Sequence, residues 1–266
     1  MVVVAFAGLA LGWGSAWVFG QGRTSLVEVG AGIVVPAAAE DSVPRVSAST
    51  VAPVPSQHLP SVGFDDAQFS IDDPESPWVV VNKQLPLDPN SYQPDDLQVP
   101  PGGGMATGGA LRAEAADALA LMEKAAKSDS VIFRISSAFR SWDAQAELYD
   151  GYVRTGGVAQ ADTFSARPGY SEHQTGWAVD LYESSECRLK SCFGDSTSGK
   201  WIAENAADFG FITRYPEGTS GVTGYKYEPW HLRYVGVALA KQMRDSGVAT
   251  LEEFFGLPDA PNYPSP

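Results

Sequence analysis

The sequence is poor in the residues that most often bind metals or nucleic acids. It has three His and two Cys in 266 residues, so a cysteine-rich zinc framework and a polyhistidine metal store are excluded. The 18 Lys and Arg are outnumbered by 32 Asp and Glu, for a net charge of -14. This balance argues against nucleic-acid binding, which needs basic side chains to displace counterions from phosphates. Any metal site must be built from few residues.

The N-terminus carries a long apolar run. Residues 1–20, MVVVAFAGLALGWGSAWVFG, contain no charged side chain, and about 20 apolar residues suffice to cross the hydrocarbon core as a helix. We expect a single-pass anchor at the cell membrane with the rest of the chain extracellular. A cleaved signal segment, which would make the protein secreted, stays open, although no basic residue precedes the run.

Residues 21–77 are rich in Pro, Ala, Ser and scattered acids. Repeated Pro interrupts backbone hydrogen bonding and few aromatic residues are available to bury, which predicts a flexible linker. His58 lies in this linker and is expected to be solvated. The linker is expected to act as a tether between the membrane segment and a folded domain.

A folded domain is expected over residues 78–256, followed by a tail over 257–266. Apolar residues at helical intervals alternate with short β-branched and aromatic runs, without the regular alternation of a parallel sheet. This predicts an α+β domain, with a small mixed or antiparallel sheet and flanking helices. Strands are predicted at the start of the domain near Trp78 and at 131–139, 176–181 and 225–231, and helices at 111–127, 141–153, 200–209 and 234–246.

Cys187 and Cys192 flank the short segment RLKS. Zinc-binding Cys pairs are usually separated by two to four residues and need a second ligand pair, which the sequence lacks. A disulfide is therefore favoured over a metal site, and it indicates an oxidising, extracellular compartment.

The other two histidines lie in segments that could form a catalytic metal site. SEHQTGWAVD contains His173 and Asp180, and EPWH contains Glu228 and His231. Two imidazoles and one carboxylate are a known catalytic zinc set, because they leave the fourth tetrahedral position open to water. Zinc lowers the pKa of that water to about 7, and a carboxylate outside the ligand set can take its proton. Glu228 suits this role.

An alternative is that both histidines are ordinary polar residues at strand ends and that Asp180 is a solvated charge. Asp180, however, lies in the apolar segment GWAVDL, where an unpaired buried carboxylate would cost several kcal/mol. A buried Asp needs a cation or hydrogen-bond donors, which favours the metal site.

Four stretches carry a family resemblance: VNKQLPLDPNSYQPDDL, SSAFRSWDAQAELY, RPGYSEHQTGWAVDL and TGYKYEPWHLRYVG. Together they resemble the VanY-type D-alanyl-D-alanine carboxypeptidases, zinc peptidases that share a fold with the Hedgehog signalling domain. The resemblance implies Zn2+ bound by His173, Asp180 and His231, with Glu228 as the base. It departs from many relatives at Phe139, where Tyr is common, without effect on the zinc chemistry.

The resemblance also assigns substrate-binding residues. It implies that Arg140 stabilises the oxyanion of the tetrahedral intermediate, and that Gln145 and Ser171 hold the terminal carboxylate of the substrate. The implied activity is removal of the C-terminal D-alanine from peptidoglycan stem peptides. Together with the apolar N-terminal segment, this predicts a membrane-tethered enzyme, which we expect to be monomeric.

Two alternatives remain at this stage. One is L,D-carboxypeptidase or endopeptidase action on the same stem peptides, because the motifs do not define the residue before the scissile bond. The other is a non-catalytic, zinc-stabilised wall-binding domain. Glu228 argues against this second alternative, because a structural zinc site needs no base.

Overall fold

The computed structural model describes residues 65, 67–101 and 109–265. The predicted membrane segment, His58 and most of the predicted linker lie outside these residues. Within the described part of the chain, no helix is both long and apolar enough to cross a membrane.

Four antiparallel strands form the central sheet, in the order β3-β4-β6-β5. A separate two-stranded antiparallel ribbon, β1-β2, precedes the first helix. The α+β fold class is confirmed by this mixture of helices and antiparallel sheet. The strands are β1 (Leu97–Gln98), β2 (Leu111–Arg112), β3 (Arg134–Ser137), β4 (Ala178–Tyr182), β5 (Phe211–Tyr215) and β6 (Glu228–Tyr234).

Seven α-helices lie among the described residues. In the first, α1 (Ala113–Ser128), Ala115, Leu119, Met122 and Ala126 are buried, as the helical spacing of its apolar residues predicts. The others are α2 (Trp142–Gly156), α3 (Val158–Ala161), α4 (Thr197–Asn205), α5 (Ser220–Thr223), α6 (Val237–Ser246) and α7 (Leu251–Phe254).

The second helix begins where the sequence predicts. The side chain of Ser141 accepts a hydrogen bond from the backbone N–H of Ala144 and caps the N-terminus of α2. Such a cap satisfies one of the N–H groups that lack a partner in the first turn. It also fixes the start of the helix directly after Arg140.

The structure differs from the prediction at several elements. The helix predicted at 111–127 begins at Ala113, because Leu111 and Arg112 form β2. Strand β5 is not predicted, although its aromatic and β-branched sequence FITRY lies between the turn residues Gly210 and Pro216. Near Trp78 the predicted strand is instead a buried segment that is not part of either sheet in the described chain. Its backbone forms hydrogen bonds outside the two sheets. The N–H of Val80 donates to the carbonyl of Ile71, and the Arg233 side chain donates to the carbonyl of Val79.

The two predicted domain boundaries also need correction. Before Trp78, Ile71 packs on the hydrophobic cluster that contains Trp78 and α6, and Glu75 forms an ion pair with the largely buried Arg112. The carbonyl of Pro77 accepts a hydrogen bond from the fully buried Arg233. The folded domain therefore begins before residue 78.

The predicted tail packs on the domain as well. Ala260 is fully buried, and the buried Lys83 donates hydrogen bonds to the carbonyls of Gly224 and Pro261. The Lys83 ammonium also lies over the rings of Tyr225 and Tyr263. These contacts join residues near both ends of the described chain.

Cys187 and Cys192 form a disulfide, as their spacing favours. It closes a small loop after β4. Within this loop, Arg188 donates to the hydroxyl and the carbonyl of Ser136 in β3. The loop is thereby held against the edge of the sheet.

We expect a chain beginning at Trp78 to fold less stably than a chain beginning at Asp65. Without Pro77, the buried Arg233 loses one acceptor, and a hydrogen bond to a charged group contributes about 2 kcal/mol. The melting temperature should fall by roughly 4 to 8 °C. Thermal melts followed by circular dichroism measure this difference, and equal melting temperatures would show that residues 65–77 do not stabilise the domain.

Candidate metal centre and active site

Three potential metal ligands come from three neighbouring elements. His173 lies in a single 3₁₀ turn (Glu172–Thr175), Asp180 in β4 and His231 in β6. Asp180 and His231 are direct cross-strand partners, so their side chains emerge side by side on one face of the sheet. The turn ends at Gly176, whose φ of 75° favours glycine.

The ligand atoms converge closely enough to hold a metal ion. One potential donor atom from each of the three side chains lies within 4.8 Å of the other two. His173 Nε2 is 3.3 Å from Asp180 Oδ2, and His231 Nδ1 is 3.1 Å from Asp180 Oδ1. All three residues are buried. Two imidazoles and one carboxylate fit zinc and leave one tetrahedral position for water or substrate.

A backbone carbonyl determines which nitrogen of His173 is available to a metal. Nδ1 lies 2.8 Å from the carbonyl oxygen of Ala138, which can only accept a hydrogen bond. Nδ1 therefore carries the proton and Nε2, the nitrogen that faces Asp180, is free to bind a metal. The backbone N–H of Arg140 donates in turn to the carbonyl of His173.

The two histidines differ in their electrostatic surroundings. Burial lowers the pKa of His173, with Asp180 offsetting only part of this effect. Burial also disfavours the charged form of His231, but hydrogen bonds to Asp180 and Glu172 raise its pKa to about 9. Burial disfavours ionised Asp180 too, yet the two imidazoles hold its pKa well below the usual range. The Asp180 carboxylate is therefore ionised and available as a ligand.

Glu228 lies beside the ligands at the start of β6. The ladder with β5 shifts register between Thr213 and Tyr215, the partner of Glu228. In a regular strand, residues three apart point to opposite faces, whereas Glu228 and His231 line the same cavity. Burial raises the pKa of Glu228 to about 8, with His231 and Arg140 lowering it in part and Asp180 adding to the rise. A carboxyl group of this pKa can accept and return a proton near neutral pH.

Arg140 brings a positive charge to the same cavity. Its Nε is buried and has no hydrogen-bond partner in the described part of the chain. Burial lowers its pKa, while Asp180 and Glu228 oppose this effect. An unused planar donor group in a buried site suits a carboxylate or a developing oxyanion.

The other two predicted substrate residues, Ser171 and Gln145, differ from each other in their positions relative to the cavity. Ser171 is buried and lines the cavity. Gln145 has no solvent-exposed surface, and its amide nitrogen donates to the carbonyl of Ala166, 2.6 Å away. Gln145 therefore supports the segment that forms the cavity wall, and its Oε1 has no partner among the described residues. Its direct contact with substrate stays a prediction.

The cavity around these residues has a volume of about 520 Å³. One wall is aromatic and apolar and is formed by Leu148, Tyr152 and Phe164. The rings of Tyr152 and Phe164 pack edge to face, with their centroids 4.9 Å apart. Leu189, in the disulfide loop, and Lys226 also line it. The cavity thus extends well beyond the ligands and has the volume of a typical ligand-binding site.

Sequence reasoning missed a set of buried charges behind His231. Glu172 lies 3.2 Å from His231 Nε2 and also pairs with two buried arginines, Arg214 and Arg233. Arg214 pairs in turn with Glu252 of α7. The available signal was a single Arg in each of the aromatic-containing segments FITRY and EPWHLRY, because a buried Arg needs a carboxylate.

Sequence comparison relates the chain to bacterial carboxypeptidases. The family model described as VanY, D-alanyl-D-alanine carboxypeptidase, matches residues 108–237. The YodJ protein from Bacillus subtilis is 40% identical over 75% of this chain and 74% of its own length. A D-alanyl-D-alanine carboxypeptidase from Enterococcus faecalis is 32% identical over 69% of this chain and 67% of its own length.

Solved structures lead to the same group of proteins. The LdcB LD-carboxypeptidase shares 42% identity and a TM-score of 0.64, over 69% of this chain and 87% of its own. A glutamate-to-alanine mutant of the vancomycin resistance D,D-pentapeptidase VanY, solved with Zn(II), shares 31% identity and a TM-score of 0.56, over 66% of this chain and 97% of its own.

We expect His173→Ala to lose bound zinc, because removal of one of three ligands leaves too few to hold the ion against solvent. Metal analysis of the purified protein measures this. His58→Ala is the matched control, since His58 lies in the predicted linker, and it should retain one zinc per chain. Full zinc content in His173→Ala would show that the site lies elsewhere.

Proposed function

The chain belongs to the VanY D-alanyl-D-alanine carboxypeptidase family, and from this premise we propose that it is a zinc carboxypeptidase that removes the C-terminal D-alanine from peptidoglycan stem peptides ending in D-Ala-D-Ala. The observation that carries the proposal is the convergence of the buried cluster His173, Asp180 and His231 with Glu228 and Arg140 on one cavity. This set combines metal ligands, a base and a permanent cation.

The residues of the site have separate tasks in this proposal. His173, Asp180 and His231 would hold zinc, which when bound lowers the pKa of water to about 7 and so supplies a nucleophile near neutral pH. Glu228 accepts a proton from the attacking water and returns it to the leaving amine. Its raised pKa suits both directions of transfer.

Arg140 and Ser171 would bind the substrate. The Arg140 guanidinium offers paired donors that match the terminal carboxylate or the oxygen on which negative charge develops. Ser171 lies on the same cavity wall, one residue before Glu172, and its hydroxyl can donate to the same carboxylate. Ser171 and the Nε atom of Arg140 are buried, which strengthens these interactions relative to water.

L,D-carboxypeptidase activity is a second candidate. It is favoured by the 42% identity to the LdcB LD-carboxypeptidase over 69% of this chain. Both activities release a terminal D-alanine, and they differ in the configuration of the preceding residue. That residue would lie in the part of the cavity beyond the metal ligands.

The proposal extends to location. An uncharged apolar segment at residues 1–20, a Pro-rich linker and the disulfide are the features expected of an exported, membrane-tethered protein. The tether would let the domain reach the cell wall from the membrane. The monomeric state stays a prediction.

We expect Glu228→Gln to retain zinc and substrate affinity while kcat falls at least ~100-fold, because an amide cannot accept the proton. The assay is D-alanine release from a pentapeptide ending in D-Ala-D-Ala, with zinc content measured on each sample. Glu147→Gln, an exposed carboxylate on α2, is the matched control and should be as active as the wild type. Unchanged turnover in Glu228→Gln would mean that another group is the base.

Paired substrates decide between the two carboxypeptidase activities. We expect the wild type to convert the pentapeptide to the tetrapeptide and to stop there, because the proposed substrate ends in two D-residues. Mass spectrometry of the products reads the cleaved bond directly. Rapid conversion of tetrapeptide to tripeptide, without action on the pentapeptide, would assign the L,D activity, and cleavage of cross-linked dimers would assign endopeptidase action.

A further inference from the structure

A group of four buried charged side chains lies behind the metal centre. Glu172, Arg214, Arg233 and Glu252 each have no side-chain exposure to solvent. Arg214 donates from Nη1 and Nη2 to the two carboxylate oxygens of Glu252, at 2.8 and 2.7 Å, and from Nε to Glu172 at 2.8 Å. Arg233 donates to the same oxygen of Glu172, also at 2.8 Å. Two cations and two anions therefore balance within the group.

The two oxygens of Glu172 have different partners. Oε1 accepts the hydrogen bonds from both arginines. Oε2 points away from them and lies 3.2 Å from Nε2 of His231. The arginines thus fix the carboxylate in place and leave one oxygen free to face the imidazole.

We propose that Glu172 is a positioning residue for the metal ligand His231, holding the proton on Nε2 so that Nδ1 faces the metal. This deepens the zinc part of the proposed function. A carboxylate oxygen can only accept, so the Nε2 atom opposite it must carry the hydrogen. The other nitrogen, Nδ1, lies 3.1 Å from Oδ1 of the ligand Asp180, and a metal bound between these two atoms would displace any proton from Nδ1.

The two histidines are consequently held in opposite orientations. His173 carries its proton on Nδ1, opposite the backbone carbonyl of Ala138, and presents Nε2. His231 carries its proton on Nε2, opposite Glu172, and presents Nδ1. Glu172 precedes His173 in the same 3₁₀ turn, so one turn supplies a ligand and also orients the ligand that comes from β6.

Glu172→Gln is expected to remove the hydrogen bond that orients His231. Both arginines require an acceptor, so the amide must turn its oxygen toward them and its NH2 group toward His231. An NH2 group cannot accept from Nε2–H, and the imidazole loses the bond that fixes its orientation. Groups that orient a metal-bound histidine typically contribute 10- to 100-fold to metal affinity.

Glu252→Gln is the matched control. It removes one carboxylate charge from the same group and from the same partner, Arg214, but Glu252 bonds to Arg214 and Asn82 and not to His231. Any general loss of stability through Arg214 is therefore common to both variants. A loss of metal affinity is expected only in Glu172→Gln.

The test uses the full chain and measures the zinc dissociation constant by competition with a chelator. We expect the constant to rise about 10- to 100-fold in Glu172→Gln and to stay at the wild-type value in Glu252→Gln, while both melting temperatures fall. Equal zinc affinity in Glu172→Gln and the wild type would overturn the proposal. An equal loss in both variants would also overturn it, because the effect would then come from stability alone.

A second measurement needs no variant and covers the case in which Glu172→Gln does not fold. The chain has only three histidines, so nitrogen NMR of ¹⁵N-histidine-labelled, zinc-loaded protein can assign each ring. We expect one zinc-bound ring protonated on Nδ1 and one protonated on Nε2. Two zinc-bound rings of the same tautomer would overturn the proposal. Neither readout depends on D-alanine release, so the outcome is independent of whether the proposed activity holds.

Discussion

Asp180 lies opposite His231 in the antiparallel ladder of β4 and β6, and the metal centre depends on this register. A slip of one residue would turn a ligand to the other face of the sheet. The register is specified by burial: the neighbouring pair Val179 and Leu232 is fully buried in the core. Core side chains outside the set of metal ligands therefore determine the positions of the metal ligands.

The buried charges impose a second constraint on the same sheet. Arg214 in β5 and Arg233 in β6 have no exposed surface, so each needs compensating acceptors inside the protein. Removing one partner of such a pair leaves an uncompensated buried charge and typically costs 3 to 5 kcal/mol. The 3₁₀ turn that carries His173 supplies one of these acceptors through Glu172. The turn is thus held by the sheet on which the other two ligands lie.

The sequence alone was sufficient for the α+β class and for four of the residues that line the cavity. His173, Asp180, His231 and Glu228 could be identified because few residue types can perform metal and proton chemistry and because this chain has few histidines. Glu172 could not be assigned a role in this way, although it is adjacent to His173. Its partners come from β5 and β6, and the pairing exists only after the sheet has formed.

The errors at the domain boundaries have a related origin. Residues 65–77 have the Pro and Asp content of a linker, and composition does not reveal that the backbone carbonyl of Pro77 meets Arg233. Likewise, β5 is a five-residue strand in which Thr213 and Arg214 interrupt the apolar pattern. Such features depend on contacts between distant residues, which local periodicity does not report.

The contacts of Lys83 affect the order in which the chain can fold during synthesis. Lys83 donates hydrogen bonds to the carbonyls of Gly224 and Pro261, and its ammonium lies over the Tyr263 ring. The Lys83 ammonium also contacts the ring of Tyr225, which lines the cavity. These partners leave the ribosome long after Lys83 does. The side of the cavity that includes Tyr225 is therefore supported in full only after residues around 263 have left the ribosome and reached Lys83.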